Sequence, residues 1–107
     1  MAITDLTDET FAETLAASSL AIVDFHAGWC GPCIMFKPKF KRVSGDYEAM
    51  DFFMLDAEAN PTSRQTVTID NLPYFAVYRN GTFVEGLSTT KEDVFREFIE
   101  RHLAENA

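Results

Sequence analysis

Two side chains of this chain carry redox chemistry by type and spacing. Cys30 and Cys33, the only cysteines among 107 residues, stand with two residues between them in Trp29-Cys30-Gly31-Pro32-Cys33. Thiols at this separation close a small disulfide and reopen it by exchange with a partner's sulfur. An apolar run precedes the pair and a helical pattern follows it, so a helix opening at Gly31-Pro32 aims free backbone N–H groups and the positive end of its dipole at the Cys30 sulfur. That arrangement favours thiolate over thiol. Two plainer readings stand beside the redox one. A structural zinc site asks for about four ligands, and beyond the cysteines only His26 and His102 are at hand, with no second C-x-x-C. A purely structural disulfide closing so short a loop would constrain the unfolded chain little.

Asp24, six residues before Cys30, interrupts the apolar run Leu20-Ala21-Ile22-Val23-Asp24-Phe25. A buried carboxylate there is costly when charged, and burial raises its pKa. It reads either as an acid beneath the dithiol that takes a proton from Cys33, or as a strand residue that bonds backbone amides; the residues alone leave both open. His26 lies two positions on, so it shares Asp24's strand face. X-Pro bonds are cis in only about 5–6% of folded cases, so Leu72-Pro73 taken alone predicts trans.

The elements that must position these groups alternate between strand and helix signals, the pattern of an α/β fold. Ile3 to Leu6 reads as a first strand, and Thr7-Asp8-Glu9-Thr10 caps a helix that buries Phe11 and Leu15. Leu20 to Phe25 is nearly continuous in apolar residues, as expected of a central strand covered on both sides. The helix from Gly31-Pro32 carries Phe36, Phe40, Val43 and Tyr47 on its core face, with Pro38 as a kink. A strand over 51–55 and a short helix over 61–65 follow. Strands over 74–78 and 82–87 flank Arg79-Asn80-Gly81, whose Asn-Gly pair signals a hairpin. The last helix starts near Thr90, with Asp93 as capping partner, and buries Val94, Phe95, Phe98, Ile99 and Leu103 against one face of the sheet.

With 47% hydrophobic and 13% aromatic residues, the chain 1–107 reads as a single domain with a core of its own. Seventeen acidic residues against nine basic ones give a net charge of −8, which argues against nucleic acid and anionic membranes as partners. The basic run Lys37-Pro38-Lys39-Phe40-Lys41-Arg42 therefore reads as a solvated helix face. No leader pattern or membrane-length apolar stretch is seen, so a reducing cytoplasm and a monomer are the expectation.

Taken in order, these features resemble the thioredoxin family over essentially the whole chain. Val23-Asp24-Phe25 leads into Ala27-Gly28-Trp29-Cys30-Gly31-Pro32-Cys33, Pro38 matches the family's helix kink, Leu72-Pro73 its cis-proline element, and Arg79-Asn80-Gly81 with Gly86 its hairpin. The resemblance implies a thioredoxin fold, a central mixed sheet flanked by helices, and protein dithiol–disulfide exchange. It implies that Cys30 is the more exposed sulfur and attacks, that Cys33 resolves, and that Asp24 exchanges the proton. It makes the Leu72-Pro73 bond cis. Trp29, Gly28, Gly31, Pro32, Leu72, Pro73 and Gly86 become the substrate surface, with Leu72 pairing to an extended segment. It implies a thioredoxin reductase and disulfide-bearing proteins as partners, NADPH being used only by the reductase; no dinucleotide fingerprint occurs in this chain, and no cofactor or metal is expected.

Four positions depart from the family pattern. His26 stands where Trp is common, Ile34 where Lys is frequent, Met54 where a buried Lys often accompanies the Asp, and Tyr74 where Thr follows the proline. Loss of a cation at 54 makes Asp24 harder to ionise, and His26 is a candidate for tuning the thiolate or Asp24. A dedicated oxidase or isomerase, and a binding subunit indifferent to its cysteines, are the alternative functions.

Overall fold

Strand β2 (Leu20–His26) is buried along almost its whole length, because its run of apolar residues has core on both sides. The computed structural model describes residues 3–106; residues 1, 2 and 107 of the expected domain lie outside the described residues. Around β2 the chain places β1 (Thr4–Leu6), α1 (Phe11–Ala16), α2 (Gly31–Ser44), β3 (Asp51–Asp56), α3 (Pro61–Arg64), β4 (Tyr74–Arg79), β5 (Thr82–Leu87) and α4 (Glu92–Asn106). The sheet order is β1-β3-β2-β4-β5. β2 runs parallel to β3 and antiparallel to β4, so the sheet is mixed, as expected.

Alternation along β2 splits the core. Leu20 and Ile22 pack with Phe36, Phe40 and Val43 of α2 and Phe95, Phe98 and Ile99 of α4. Ala21, Val23 and Phe25 pack on the other face with Phe11 and Leu15 of α1 and with Val67. Phe75 and Phe95 stand 4.5 Å apart between ring centroids, and Phe36 meets Phe95 edge-on at 5.2 Å. Aromatic pairs of this kind add about 0.5–1.5 kcal/mol each beyond the area they bury. Asp24 has the parity of Leu20 and Ile22, which puts it on the α2 face.

Two details differ from expectation. The carboxylate of Asp8 does not cap α1; it accepts from the Thr62 and Ser63 backbone N–H groups and from the Ser63 hydroxyl, closing the start of α3 instead. α4 begins at Glu92, and Val94 is exposed while His102 is buried. Its inward face follows residues 95, 98, 99 and 102, and Val94 falls one position outside that stripe. The hairpin turn is as expected, with Asn80 at φ 51° and Gly81 at φ 84°, the positive angles that a two-residue turn of this hand demands.

Candidate active site

Cys30 ends β2's connection to α2 and serves as the helix N-cap. Its Sγ accepts the Cys33 backbone N–H at 3.2 Å, so a free amide of the first helical turn points at the sulfur. The donor and the helix dipole both stabilise negative charge there. Cys30 and Cys33 are joined as a disulfide, with Cα atoms 5.3 Å apart. Against expectation, Cys30 is no more exposed than Cys33: each is 3% accessible. What separates them is the space that each faces.

Cys30 opens onto a groove of about 580 Å³ lined by Trp29, Gly31, Pro32, Arg64, Asp70 and Leu72 among others. Trp29 is 69% exposed on its rim, and Ile34 and Met35 stand exposed on the first turns of α2. The Leu72-Pro73 bond is cis. The Ser88 hydroxyl donates to the Pro73 carbonyl at 2.9 Å, tying this loop to the end of β5. Of the expected substrate surface, Trp29, Gly31, Pro32 and Leu72 line the groove. Pro73 is not among the lining residues, and neither is Gly86. Gly86 pairs with Ala76 across β4 and β5, and a side chain there would collide with the Tyr74 phenol ring. Ala57, Glu58, Arg64, Ile69, Asp70 and Asn71 complete the lining and were not anticipated, because they come from the β3–α3 turn, the end of α3 and the loop before β4.

Cys33 lines a separate, smaller pocket of about 170 Å³ with His26, Ala27, Gly28, Ile34, Lys37 and Met54. Asp24 lies in β2 between Met54 of β3 and Phe75 of β4. It is fully buried, and neither carboxylate oxygen has a hydrogen-bond partner among the described residues. Burial pushes its pKa up to about 7, against a weak opposing pull from Lys37. The backbone-bonding reading of Asp24 therefore has no support in the geometry. His26 is driven the other way: burial lowers its pKa, the carboxylates of Asp56 and Asp5 work against that, and Lys37 adds to it. The ring is neutral at neutral pH.

The basic run 37–42 is a solvated helix face, as expected: Lys37, Lys41 and Arg42 are exposed, Arg42 pairs with Glu92, and Phe40 is the residue of the run that is buried. Among the described residues no three His, Cys, Asp or Glu side chains converge as a metal site, and no helix is long and apolar enough to cross a membrane. His102 is engaged elsewhere, between Glu85 and Arg79.

The family model for thioredoxin matches residues 2–101. Thioredoxin of Staphylococcus haemolyticus is 32% identical over 105 residues, spanning 96% of this chain and 100% of that protein. Thioredoxin 1 of Plasmodium falciparum is 32% identical over 94 residues, 88% of this chain and 90% of that one. A solved structure of Plasmodium falciparum thioredoxin superposes with a TM-score of 0.88 at 30% identity, covering 92% of this chain and 98% of that one. A thioredoxin f2 solved in complex with ferredoxin:thioredoxin reductase superposes at 0.86 with 26% identity, covering 94% of each chain. With a dithiol at a helix start, Leu72 of a cis Leu-Pro bond packed against it and a buried acid in the strand that leads to it, the chain belongs to the thioredoxin family and carries out dithiol–disulfide exchange as a protein disulfide oxidoreductase.

Proposed function

We propose that this protein acts as a disulfide reductant of other proteins, with Cys30 as the attacking sulfur and Cys33 as the resolving one. The observation that carries the assignment is the division of space at the dithiol: Cys30 lines the larger groove together with exposed Trp29, and Cys33 lines a separate, smaller pocket. In the reduced protein the Cys30 thiolate, stabilised by the Cys33 amide, attacks a substrate disulfide. One new S–S bond forms and the substrate's bond breaks, its electron pair leaving on a substrate sulfur. Asp24 then takes the Cys33 proton, and the Cys33 thiolate attacks Cys30. The Cys30–Cys33 disulfide closes, the second substrate sulfur leaves as thiolate, and the substrate is reduced by two electrons. An acid that ionises near 7 suits proton exchange at neutral pH.

Trp29, Gly31, Pro32 and Leu72 form the apolar floor and rim that an extended substrate segment covers, with Leu72 offering its backbone for strand-like pairing. Pro73 acts by presenting no N–H beside the sulfurs, and Gly86 by admitting Tyr74 behind the loop. His26 tunes the pair as a neutral ring rather than as a cation. A thioredoxin reductase re-reduces the dithiol, drawing on NADPH bound only to that partner; the complex formed by the related thioredoxin f2 supports this type of pairing. The chain works as a monomeric, single-domain electron carrier in the cytoplasm, with no cofactor or metal of its own.

The deciding experiment is the equilibrium potential of Cys30–Cys33 in dithiothreitol and glutathione buffers, read by thiol alkylation and mass, with C30S and C33S alongside. A potential well below the glutathione couple, loss of exchange in C30S and a trapped mixed disulfide in C33S are expected. A markedly oxidising potential would transfer the assignment to an oxidase or isomerase.

A further inference from the structure

Ser88 stands immediately after β5, at a point the sheet holds in place: Leu87 pairs with Phe75 of β4 and packs on the core shared by α2 and α4. Its hydroxyl reaches across to the loop before β4. It donates to the Pro73 carbonyl at 2.9 Å, and the Asn71 carbonyl stands 3.4 Å away as a second acceptor for the same proton. These two carbonyls flank Leu72, which packs on Ala27, Cys30 and Cys33 and lines the groove with Cys30. We infer that Ser88 is a positioning residue for the exchange reaction: by holding the carbonyls on either side of Leu72, it fixes the backbone on which an extended substrate segment pairs beside the dithiol.

The inference deepens the reading of Leu72 as the pairing residue and rests on it. Residues 67–73 belong to no helix or strand, and Val67, Ile69 and Leu72 hold them by apolar packing. Among the described residues, the only hydrogen bonds that reach this stretch come from the Ser88 hydroxyl. Leu72 keeps both of its own backbone groups unspent: neither its N–H nor its carbonyl has a partner among the described residues. The Asn71-Leu72 peptide is trans, so a carbonyl turned toward Ser88 turns the Leu72 N–H the opposite way, clear of β5. A free N–H and C=O on one residue are what an added strand takes up. Holding them in place beforehand lowers the entropy lost when the substrate docks. Ser88 is not among the residues that line the groove, so it acts through the loop and not on the sulfurs.

The test is single-turnover exchange by fully reduced wild type, S88A and S88T. The oxidants are a synthetic peptide with its disulfide in an extended segment, the same peptide N-methylated at each backbone amide near the disulfide in turn, and a small aromatic disulfide that has no backbone. On the parent peptide S88A should raise the half-saturating concentration about threefold to tenfold, the range one net hydrogen bond covers, with the limiting rate within about twofold of wild type. S88T keeps the hydroxyl and should restore the wild-type value. The small disulfide should react alike with all three proteins. At one methylated position wild type should lose its affinity for the peptide, and there S88A should match it. An S88A effect of equal size on peptide and small disulfide, or no effect on either, overturns the role of Ser88. If no methylated position weakens binding to wild type, strand pairing at Leu72 falls, and the positioning role with it. Weakening by methylation together with an S88A indistinguishable from wild type leaves the pairing standing and removes Ser88 alone.

Discussion

Asp24 and His102 are both ionisable, both fully buried, and treated in opposite ways. His102 sits on α4 at 1% exposure with a partner at each ring nitrogen: Nε2 lies 2.9 Å from Glu85 Oε1 and Nδ1 lies 3.4 Å from Arg79 Nη2, while Phe98 meets the ring edge-on. Asp24 on β2 has no partner at either oxygen. Buried polar groups are ordinarily satisfied because an unmade hydrogen bond forfeits the water it replaced. A partnered group such as His102 holds elements together. An orphaned acid such as Asp24 holds nothing together, and the fold carries the cost of its charge.

Removing the orphan sharpens this contrast most. In the folded protein Asp24 titrates near 7 rather than at the ordinary 3.8. Below about pH 4 the acid is protonated in both folded and unfolded chains. Between about 4 and 7 only the unfolded chain ionises, so folding stability falls as pH rises, and above 7 the loss is complete. D24N escapes it. Its stability advantage over wild type should be near zero at pH 4, grow through this window and level off above 7, at no more than on the order of 4 kcal/mol. Urea midpoints across pH would show it, and an advantage flat from pH 4 to 8 would break the comparison. The same variant should resolve mixed disulfides on the order of tenfold to a hundredfold more slowly.

His102 should behave in the reverse sense. H102A empties a packed site and leaves Glu85 and Arg79 without their shared partner, for a loss of about 2–4 kcal/mol in the denaturant midpoint. The pH profile of exchange should stay that of wild type. A shifted profile would mean that the α4 cluster reaches the dithiol, and the division between structural and functional burial would fall.

The smallest effect belongs to His26. Because its ring is neutral at neutral pH, H26W should move the pH dependence of Cys30 alkylation by only a few tenths of a unit. A displacement of a full unit would assign the imidazole a charge-tuning role.

Much of this was legible from the residues. The continuous apolar run marked β2 as the central strand, Asn80-Gly81 marked the hairpin, and the cysteine spacing with Gly31-Pro32 placed the dithiol at a helix start, because each is a local preference written in neighbouring positions. The Leu72-Pro73 isomer was not local: the dipeptide alone favours trans, and only the resemblance pointed to cis. Asp8 capping α3 joins residues more than fifty positions apart, and a capping pattern read along the chain assigns it to the nearer helix.

By itself the sequence determined the chemistry: two thiols that can pair, an acid inside an apolar strand, and a chain whose periodicities build a mixed α/β sheet. Tertiary structure decided which sulfur meets the larger groove and that Asp24, set opposite Met54, is left without a partner. Those outcomes depend on where α2, β3 and the loop before β4 come to rest against one another. Burial and charge act through space, and the distances they act over exist only once the chain has folded.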